Sequence, residues 1–361
     1  VRYLYFIAKR EIIMMNPDAL FACLYLIEVE GIGTSTLSKI FAKISSPEEA
    51  LRNSDEFYQS LNLSENIIRS LQNPQMNEKI EREIKAILNG EVSIVSTFED
   101  DYPPNLRNLF APPPILFYRG HLPKINQHCL AVVGTRRISD YGRIIARQFC
   151  RDLSDAGIPF ISGLALGVDT IASQEGLRAG RETFAVLASG VNVIYPSSNR
   201  ALAEKIIANG GIISENPPFT NPDKWLFPAR NRIISGLASA VLVIEAGIKS
   251  GALITARFAN EQGKDVFAIP GPISSRQSEG CHRLIQKGAI LVHSPEDILN
   301  AMGTPLENNL FSQPEPELNA DERELFNHLN QAAQPLHIDE LARQLQKPAA
   351  QLLALLFQLE L

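Results

Sequence analysis

The residue types best suited to chemistry lie in one segment, 227–256, which reads FPARNRIISGLASAVLVIEAGIKSGALITA. It begins as a predicted helix, passes through a buried strand and opens the next helix with a glycine-serine turn. Guanidinium groups and the backbone amides of such a turn bind anions. The segment brings no nucleophile, general base or metal-ligand cluster with it, which favours phosphate binding over catalysis. The residues that we expect to hold phosphate here are Arg230, Asn231, Arg232, Ser250, Gly251 and Thr255.

Aromatic side chains alternate with cations at the start of this segment, in PDKWLFPAR. Lys224 and Arg230 can neutralise phosphates, while Trp225 and Phe227 offer rings on which unpaired bases could stack, worth about 1–3 kcal/mol per base. Cations interleaved with aromatic rings favour single-stranded nucleic acid over a free nucleotide. The alternative is that one or both rings are buried in the core, and the sequence leaves it open.

A second cationic loop, VGTRR, follows an apolar run that we interpret as a strand. Gly134 permits a tight turn with close backbone approach, and Thr135 offers a hydroxyl. Arg136 and Arg137 would then stand at the phosphate-binding edge. Because loops at strand ends carry sites more often than the backs of helices do, this loop is a candidate wall of the same site.

Two glycines four residues apart mark the next strand end, SGLALGVD. We expect Ser162, Gly163 and Gly167 to form a turn over phosphate, with the amides of the following helix as donors. Asp169 is expected to cap that helix. The spacing matches neither GxGxxG nor GxxxxGK[ST], so neither a dinucleotide fingerprint nor a Walker loop is supported.

Two further residues are expected to support the pocket. Tyr195, in the turn YPSSN, would form part of its wall. Glu245, at the end of the apolar run AVLVIEA, would hold Arg230 or Arg232 in place. A lone carboxylate does not make an acid-base pair, so Glu245 alone does not indicate an enzyme.

The elements that must position these residues alternate between strand and helix through residues 91–302. Seven apolar runs end in small, proline or polar residues and are separated by amphipathic stretches of helix length. This alternation predicts an α/β fold with a doubly wound, mainly parallel sheet, whose ligands bind at the carboxyl ends of the strands. The seven runs are CLAVVG, PFISG, TFAVLAS, GIISE, AVLVIEA, DVFAIPG and AILVHS.

The N-terminal third is interpreted as helical and proline-rich segments. Apolar residues at helical spacing in 16–90 predict a small helical domain. Its turn at 29–33, VEGIG, resembles a helix-hairpin-helix turn, whose amides can face a phosphate, although a glycine turn between packed helices is the favoured interpretation. Residues 1–15 are interpreted as a possible non-native extension. Residues 91–130 begin with a strand-like EVSIVSTF and continue, rich in proline, as an expected extended flap.

The C-terminal end is predicted to be a linker followed by a small module. Residues 303–320 are acidic and contain prolines, which indicates a linker. Residues 321–361 resemble the helical half of a winged helix, without sequence for its wing hairpin. This module has three basic and six acidic residues, which opposes a role in DNA binding and favours contact with protein or simple core packing.

Composition sets the limits of these interpretations. The chain has 361 residues and a formal charge of −6, yet residues 131–300 carry 18 basic and 15 acidic side chains, so the basic part is the predicted sheet domain. The four cysteines form no CxxC pair, which opposes a disulfide framework and a zinc site and indicates a reducing compartment. We expect no metal, no cofactor, no membrane span and a cytoplasmic location.

Six motifs in order give the chain a family resemblance: VGTRR, SGLALGVD, YPSSN, FPARNRIISGL, SGALITA and AIPG. It resembles the DNA-processing protein A family of bacterial natural transformation, also called DprA or Smf, most strongly over residues 91–300. The resemblance implies an extended Rossmann fold that binds single-stranded DNA, forms a homodimer and loads RecA onto incoming strands. It also implies that Arg136, Lys224 and Phe227 belong to the DNA pocket. Ser173 and His282 depart from the family pattern, which puts any family role of those two positions in doubt.

Two hypotheses follow from these observations. The favoured one is a non-enzymatic single-stranded DNA-binding protein that protects incoming DNA and loads RecA onto it. The alternative is a nucleotide-processing enzyme similar to the lysine-decarboxylase-like phosphoribohydrolases. Those enzymes use a PGGxGT turn with an adjacent glutamate. This chain has SGALIT at that place, without the double glycine or a glutamate after Thr255.

Overall fold

A computed structural model describes residues 15–124, 128–303, 325, 338–345 and 347–360. The chain divides into two compact units, Val1–Pro305 and Leu306–Leu361. The possible extension at 1–15 lies outside the described residues except for Met15. That side chain is buried in the core beside Cys23, and the extension remains a prediction.

One sheet organises the first unit. Within the described residues it has nine strands in the order β1-β2-β6-β5-β4-β3-β7-β8-β9. From β6 to β9 all neighbours are parallel, as predicted, whereas β1 and β2 are antiparallel and extend the edge next to β6. The strands are β1 Ser93–Ser96, β2 Ile115–Gly120, β3 Leu130–Val133, β4 Phe160–Ser162, β5 Thr183–Val186, β6 Gly211–Ser214, β7 Ala240–Val243, β8 Val266–Ala268 and β9 Ile290–Leu291.

All seven apolar runs of the predicted parallel sheet form strands, β3 to β9. The expected flap at 91–130 is different. After Pro114 a run without proline, Ile115–Gly120, inserts between β1 and β6 as a full strand. The prolines favoured an extended flap, but a proline-free run between them can still pair on both sides.

Helices cover both faces of the sheet. Successive residues of a strand point to opposite faces, and β5 shows the result: Phe184 and Val186 belong to one hydrophobic cluster, while Ala185 belongs to the other. Both faces are therefore buried, as a doubly wound sheet requires. The helices within and after the sheet are α6 Pro104–Arg107, α7 Asp140–Asp155, α8 Val168–Arg178, α9 Arg200–Asn209, α10 Leu226–Leu237, α11 Ala252–Glu261, α12 Glu279–Gln286 and α13 Pro295–Ala301; α1 to α5 precede it.

The N-terminal segment is helical, as predicted, and packs on one face of the sheet. Its apolar residues share a cluster with Ile115, Phe117 and Leu187, so the proposed boundary near residue 90 remains a prediction. The turn after α1 contains Gly31 at a φ of 90°, packed against Ile67. Its contact with DNA also stays a prediction. The five helices are α1 Pro17–Glu28, α2 Thr34–Phe41, α3 Asp55–Ser60, α4 Glu65–Gln72 and α5 Glu78–Leu88.

The second unit is described by two helices, α14 Ile338–Gln344 and α15 Ala349–Glu360. Leu341 on α14 and Leu352 and Leu355 on α15 form an apolar cluster with Leu325. The predicted linker at 303–320 lies outside the described residues apart from Gly303. Between this linker and α14, only residue 325 is described. The linker and the missing wing remain predictions.

Candidate nucleic-acid interface

A cleft of about 770 Å³ opens at the carboxyl ends of the central strands. The chain runs outward from β3 through β4, β5 and β6, then returns to β7 on the other side of β3. The loops after β3 and β7 therefore diverge from two adjacent parallel strands. Such a reversal of strand order is where doubly wound sheets bind ligands. The cleft lies where the predicted architecture requires it.

Eleven of the residues singled out from the sequence line this cleft. They come from the loops after β3 and β7, from the first turns of α8, α10 and α11, and from the turn before α11. Their role in binding DNA remains a proposal. They are Gly134, Thr135, Arg136, Arg137, Asp169, Phe227, Arg230, Asn231, Ser250, Gly251 and Thr255.

The other seven singled-out residues do not line the cleft. Ser162 is buried, with its Oγ 3.4 Å from the Oγ of Ser173, and Gly167 adopts a φ of 81° where a Cβ would collide with the Thr135 carbonyl. Both residues therefore support the loops that border the cleft without facing the cleft themselves. Gly163 and Tyr195 line a smaller adjoining pocket with Phe227. The remaining three are Lys224, Arg232 and Glu245.

Arg230 forms part of the cleft wall with little of its own surface exposed. It is 5% exposed, and its Nη1 donates to the carbonyl oxygens of Gly163, at 3.0 Å, and Val186. Burial lowers the pKa of Arg230 to about 10, and the nearby Asp169 carboxylate opposes that fall, so the guanidinium remains charged at pH 7. A Cβ on Gly163 would lie 2.5 Å from the guanidinium, which explains the glycine there. Arg230 thus supplies fixed positive charge to the cleft wall.

Asp169 does not cap its helix. The N-cap of α8 is Gly167, and the Asp169 carboxylate accepts hydrogen bonds from the amides of Gly163, at 2.9 Å, and Ala165, at 3.3 Å. Burial raises the pKa of Asp169, and the Arg230 charge and these two amides oppose the rise. The prediction of capping was wrong because the loop before α8 folds back over the carboxylate and presents its own amides.

The expected brace between Glu245 and the α10 arginines was also wrong. Glu245 instead accepts hydrogen bonds from the amide of Ser139, at 2.9 Å, and from its Oγ, at 2.5 Å, which ties the loop after β3 to the end of β7. Arg232 pairs with Glu215, and these side chains are only 13% and 10% exposed. Arg230 donates instead to the carbonyl oxygens of Gly163 and Val186.

The rim of the cleft combines a cation with aromatic rings. The Cζ of Arg136 lies 5.0 Å from the centre of the Phe227 ring, and the Tyr195 ring packs edge-on against Phe227 at 5.6 Å. Lys224 and Trp225 precede α10, with the Lys224 Nζ 5.0 Å from the Trp225 ring centre. Trp225 is 74% exposed and Phe227 is half-buried, so the alternative that Trp225 belongs to the core was wrong. Both rings remain accessible to a base.

Sequence reasoning missed two cations of the cleft, Lys249 and Arg276. Both are exposed, and they follow β7 and β8. The available signal was their position after strands whose carboxyl ends were expected to carry the site. Arg136, Arg137, Arg230, Lys249 and Arg276 together set five positive charges against the single carboxylate of Asp169, so the cleft attracts anions.

The described residues offer neither a metal-binding cluster nor an accessible thiol. No group of three or more His, Cys, Asp or Glu side chains within them could hold a metal ion. Cys23, Cys129, Cys150 and Cys281 are buried free thiols, and burial raises the pKa of each of them. Thiols in apolar surroundings are poor nucleophiles.

The two departures from the family pattern have structural roles. The Ser173 Oγ donates to the backbone carbonyl of Asp169 at 3.0 Å, inside α8. The Nε2 of His282 lies 3.0 Å from the Gly271 carbonyl oxygen, on the loop after β8. Each side chain therefore supports a loop or helix that borders the cleft.

Comparison with known proteins decides the family. Residues 93–303 match the family model of DNA recombination-mediator protein A, and residues 311–361 match that of the DprA winged helix domain. The chain belongs to the DNA recombination-mediator protein A family. It is 40% identical to Protein Smf of Escherichia coli over 72% of this chain and 71% of that protein. It is 43% identical to the DNA processing protein DprA of Streptococcus pneumoniae over 56% of this chain and 72% of that one.

Solved structures of the DprA family share this fold. The X-ray structure of DNA processing protein A from Streptococcus pneumoniae matches 80% of this chain and 98% of its own, with a TM-score of 0.69 and 32% identity. DNA processing protein A from Helicobacter pylori, whose single-stranded DNA binding mode has been described, matches 59% of this chain and 95% of its own, with a TM-score of 0.52 and 29% identity. The winged-helix match also extends ten residues into the predicted linker.

Proposed function

We propose that this protein binds single-stranded DNA in its cleft, without catalysis, and acts in natural transformation. The observation that carries the proposal is the rim of the cleft, where Arg136 and Phe227 lie together and an exposed Trp225 lies two residues upstream of Phe227. Cations beside accessible rings suit a strand whose phosphates and unpaired bases are both exposed. The single-stranded DNA binding of the Helicobacter pylori relative supports the same conclusion.

The charge of the cleft supports an extended strand over a small ligand. Lys249 and Arg276 lie on the loops after β7 and β8, whereas Arg136 lies on the loop after β3. Cations on several loops can follow successive phosphates along a backbone. The amides at the N-terminus of α11 add partial positive charge at Gly251 and Ala252.

We infer that the competing enzymatic function is not the function of this cleft. Hydrolysis of a glycosidic bond needs a positioned carboxyl group within reach of the substrate. Glu245 is bound to Ser139, and Asp169 is bound to two amides and faces the Arg230 charge. Incubation with nucleoside monophosphates is expected to release no free base, and release at a rate proportional to enzyme would reverse this inference.

Beyond DNA binding, we propose that the protein protects incoming strands in the cytoplasm and loads RecA onto them as a homodimer, without a cofactor. The family supports this wider role. Within the described residues, no helix has both the length and the apolar character needed to cross a membrane. Light scattering would measure the dimer, and RecA assembly on protein-coated single strands would measure loading.

The direct test is charge reversal at the rim. Arg136→Glu is expected to weaken binding of labelled oligo-dT at least about tenfold, because it replaces an attraction for phosphate with a repulsion and removes the contact with Phe227. Lys205→Glu, on an exposed position of α9 outside the cleft, is the matched control and should change binding little. Equal affinities of the two variants, with melting temperatures unchanged, would refute the proposed site.

A further inference from the structure

The loop that carries Lys224 and Trp225 is held from the helical segment as well as from the sheet. This β6–α10 loop comprises residues 215–225. The amides of Gly190 and Asn192, which follow β5, donate to its Thr220 and Pro218 carbonyl oxygens, both at 2.9 Å. Its first residue, Glu215, pairs with Arg232 on α10. These contacts hold the side of the β6–α10 loop that faces the sheet and α10.

Two adjacent residues of α5 hold the opposite side of the β6–α10 loop. The Cζ of Arg82 lies 3.6 Å from the centre of the Phe219 ring, and the Oε1 of Glu83 accepts a hydrogen bond from the Phe219 amide at 3.4 Å. Glu83 is 2% exposed, and its second oxygen, Oε2, is buried without a hydrogen-bond partner within the described residues. A buried carboxylate with one unsatisfied oxygen is costly, so its protonated form fits this place better.

We propose that Arg82 and Glu83 of α5 are positioning residues for DNA binding, which hold the β6–α10 loop and so place Lys224 and Trp225 next to the rim residue Phe227. The inference rests on the proposed binding of single-stranded DNA. The contact is local, since Phe219 lies five residues before Lys224. It gives the helical segment an effect on DNA affinity without requiring that segment to touch DNA.

The surroundings of Glu83 make this contact sensitive to pH. Burial raises the pKa of Glu83 to about 7, while the Phe219 amide, Lys79 and Arg82 oppose the rise and Glu28 on α1 adds to it. Lys79 is itself paired with Glu28 at 2.7 Å. A carboxyl group whose pKa is raised in the held loop binds its proton more strongly there than when released. Holding is therefore strongest at acidic pH and weakens as pH rises from about 4.5 to about 7.

Glu83→Gln removes the charge of this side chain while keeping its shape. The amide mimics the protonated carboxyl, so the variant should hold the loop equally at all pH values. The oligo-dT affinity of Glu83→Gln is expected to equal that of the wild type at pH 5 and to exceed it at least about threefold at pH 8. This threefold change is much smaller than the change that the raised pKa of Glu83 could produce. Parallel pH profiles for the two proteins would overturn the proposal.

Hydrogen exchange of the free protein tests the same contact without DNA. The Phe219 amide, corrected for its intrinsic exchange rate, should be better protected in Glu83→Gln than in the wild type at pH 8, and equally protected only at about pH 4.5 or below. Equal protection at pH 8 would overturn the positioning role even if DNA binds. Loss of oligo-dT binding by both proteins would instead overturn the proposed function.

Arg82→Leu provides a second variant that keeps Glu83. Removal of the guanidinium from the Phe219 ring should lower the protection of residues 216–225 and weaken oligo-dT binding at every pH. The control is Arg69→Leu, which removes an exposed arginine of α4 paired only with Glu65 on its own helix. The same loop protection in both arginine variants would contradict the proposal.

Discussion

At the scale of single residues, the cleft depends on a few side chains with distinct tasks. Arg230 is buried and supplies fixed charge, while Arg136 is exposed at the rim beside Phe227. A buried guanidinium bonded to carbonyl groups of neighbouring loops cannot move to meet a phosphate. We therefore expect contact with DNA at the exposed rim and at Lys249 and Arg276.

Phe227→Ala should weaken oligo-dT binding by about 1–3 kcal/mol, because one stacking surface is lost and Arg136 loses the ring that orients it. Fluorescence anisotropy titration measures the change. Phe110→Ala, at a fully exposed ring outside the cleft, is the control and should bind like the wild type. Similar affinities for the two variants would show that Phe227 does not stack on a base.

Gly134→Ala should destabilise the protein by about 1–3 kcal/mol, because the new Cβ would lie 2.9 Å from the Cβ of Val168 and 3.0 Å from the Glu245 carbonyl oxygen. Gly251→Ala is the matched control, since a Cβ there meets nothing within 4 Å. Denaturant unfolding compares the two. If Gly134→Ala were as stable as Gly251→Ala, the close packing of the loop after β3 would be disproved.

The residue types were readable from the sequence, but the partners of the charged groups were not. Lys224, Phe227 and Arg136 could be singled out because cations and rings alternate near strand ends. The partner of Glu245 could not, because Ser139 is 106 positions away along the chain and only the parallel pairing of β3 with β7 brings them together. Long-range polar contacts depend on this topology, and local patterns do not encode them.

At the scale of elements, the carboxyl ends of the parallel strands determine which loops meet at the cleft. The apolar runs predicted β3 to β9 because parallel strands buried on both faces are continuously hydrophobic. Strand β2, which lies between β1 and β6, was missed because the prolines before it suggested an extended flap. The brace between Glu245 and α10 was misassigned because Glu245 bonds to Ser139 on the loop after β3, while Arg232 pairs with Glu215.

Glu245→Gln should lower stability by about 1–3 kcal/mol, because the charged acceptor of the Ser139 amide and hydroxyl is lost where the loops after β3 and β7 meet. Thermal unfolding checks this, with Glu204→Gln, an exposed carboxylate on α9, as the control. Oligo-dT binding should survive in part, since the rim residues remain. An unchanged melting temperature would mean that the Ser139 contact contributes nothing to the fold.

At the scale of the whole molecule, charge and function are divided between two units. The cleft and the basic part of the sequence belong to the unit Val1–Pro305, whereas the unit Leu306–Leu361 is acidic. Within its described residues, the smaller unit has a leucine cluster and two short helices. This composition suits contact with protein better than contact with phosphate.

Truncation after Pro305 is therefore expected to leave oligo-dT affinity within about twofold of the full chain, because all lining residues of the cleft remain. Anisotropy titration of the two proteins side by side measures this, and circular dichroism confirms that the shorter chain is folded. A loss of tenfold or more in a folded truncated protein would place part of the DNA-binding surface in the smaller unit.

The salt dependence of oligo-dT binding tests the central claim most directly. If Arg136, Arg137, Lys249 and Arg276 each meet a phosphate, the logarithm of the binding constant should fall with the logarithm of salt concentration with a slope of about −3, near −0.7 per contact. Arg136→Glu should make the slope shallower by about one contact. Micromolar or weaker binding that does not change with salt would contradict a phosphate-binding cleft.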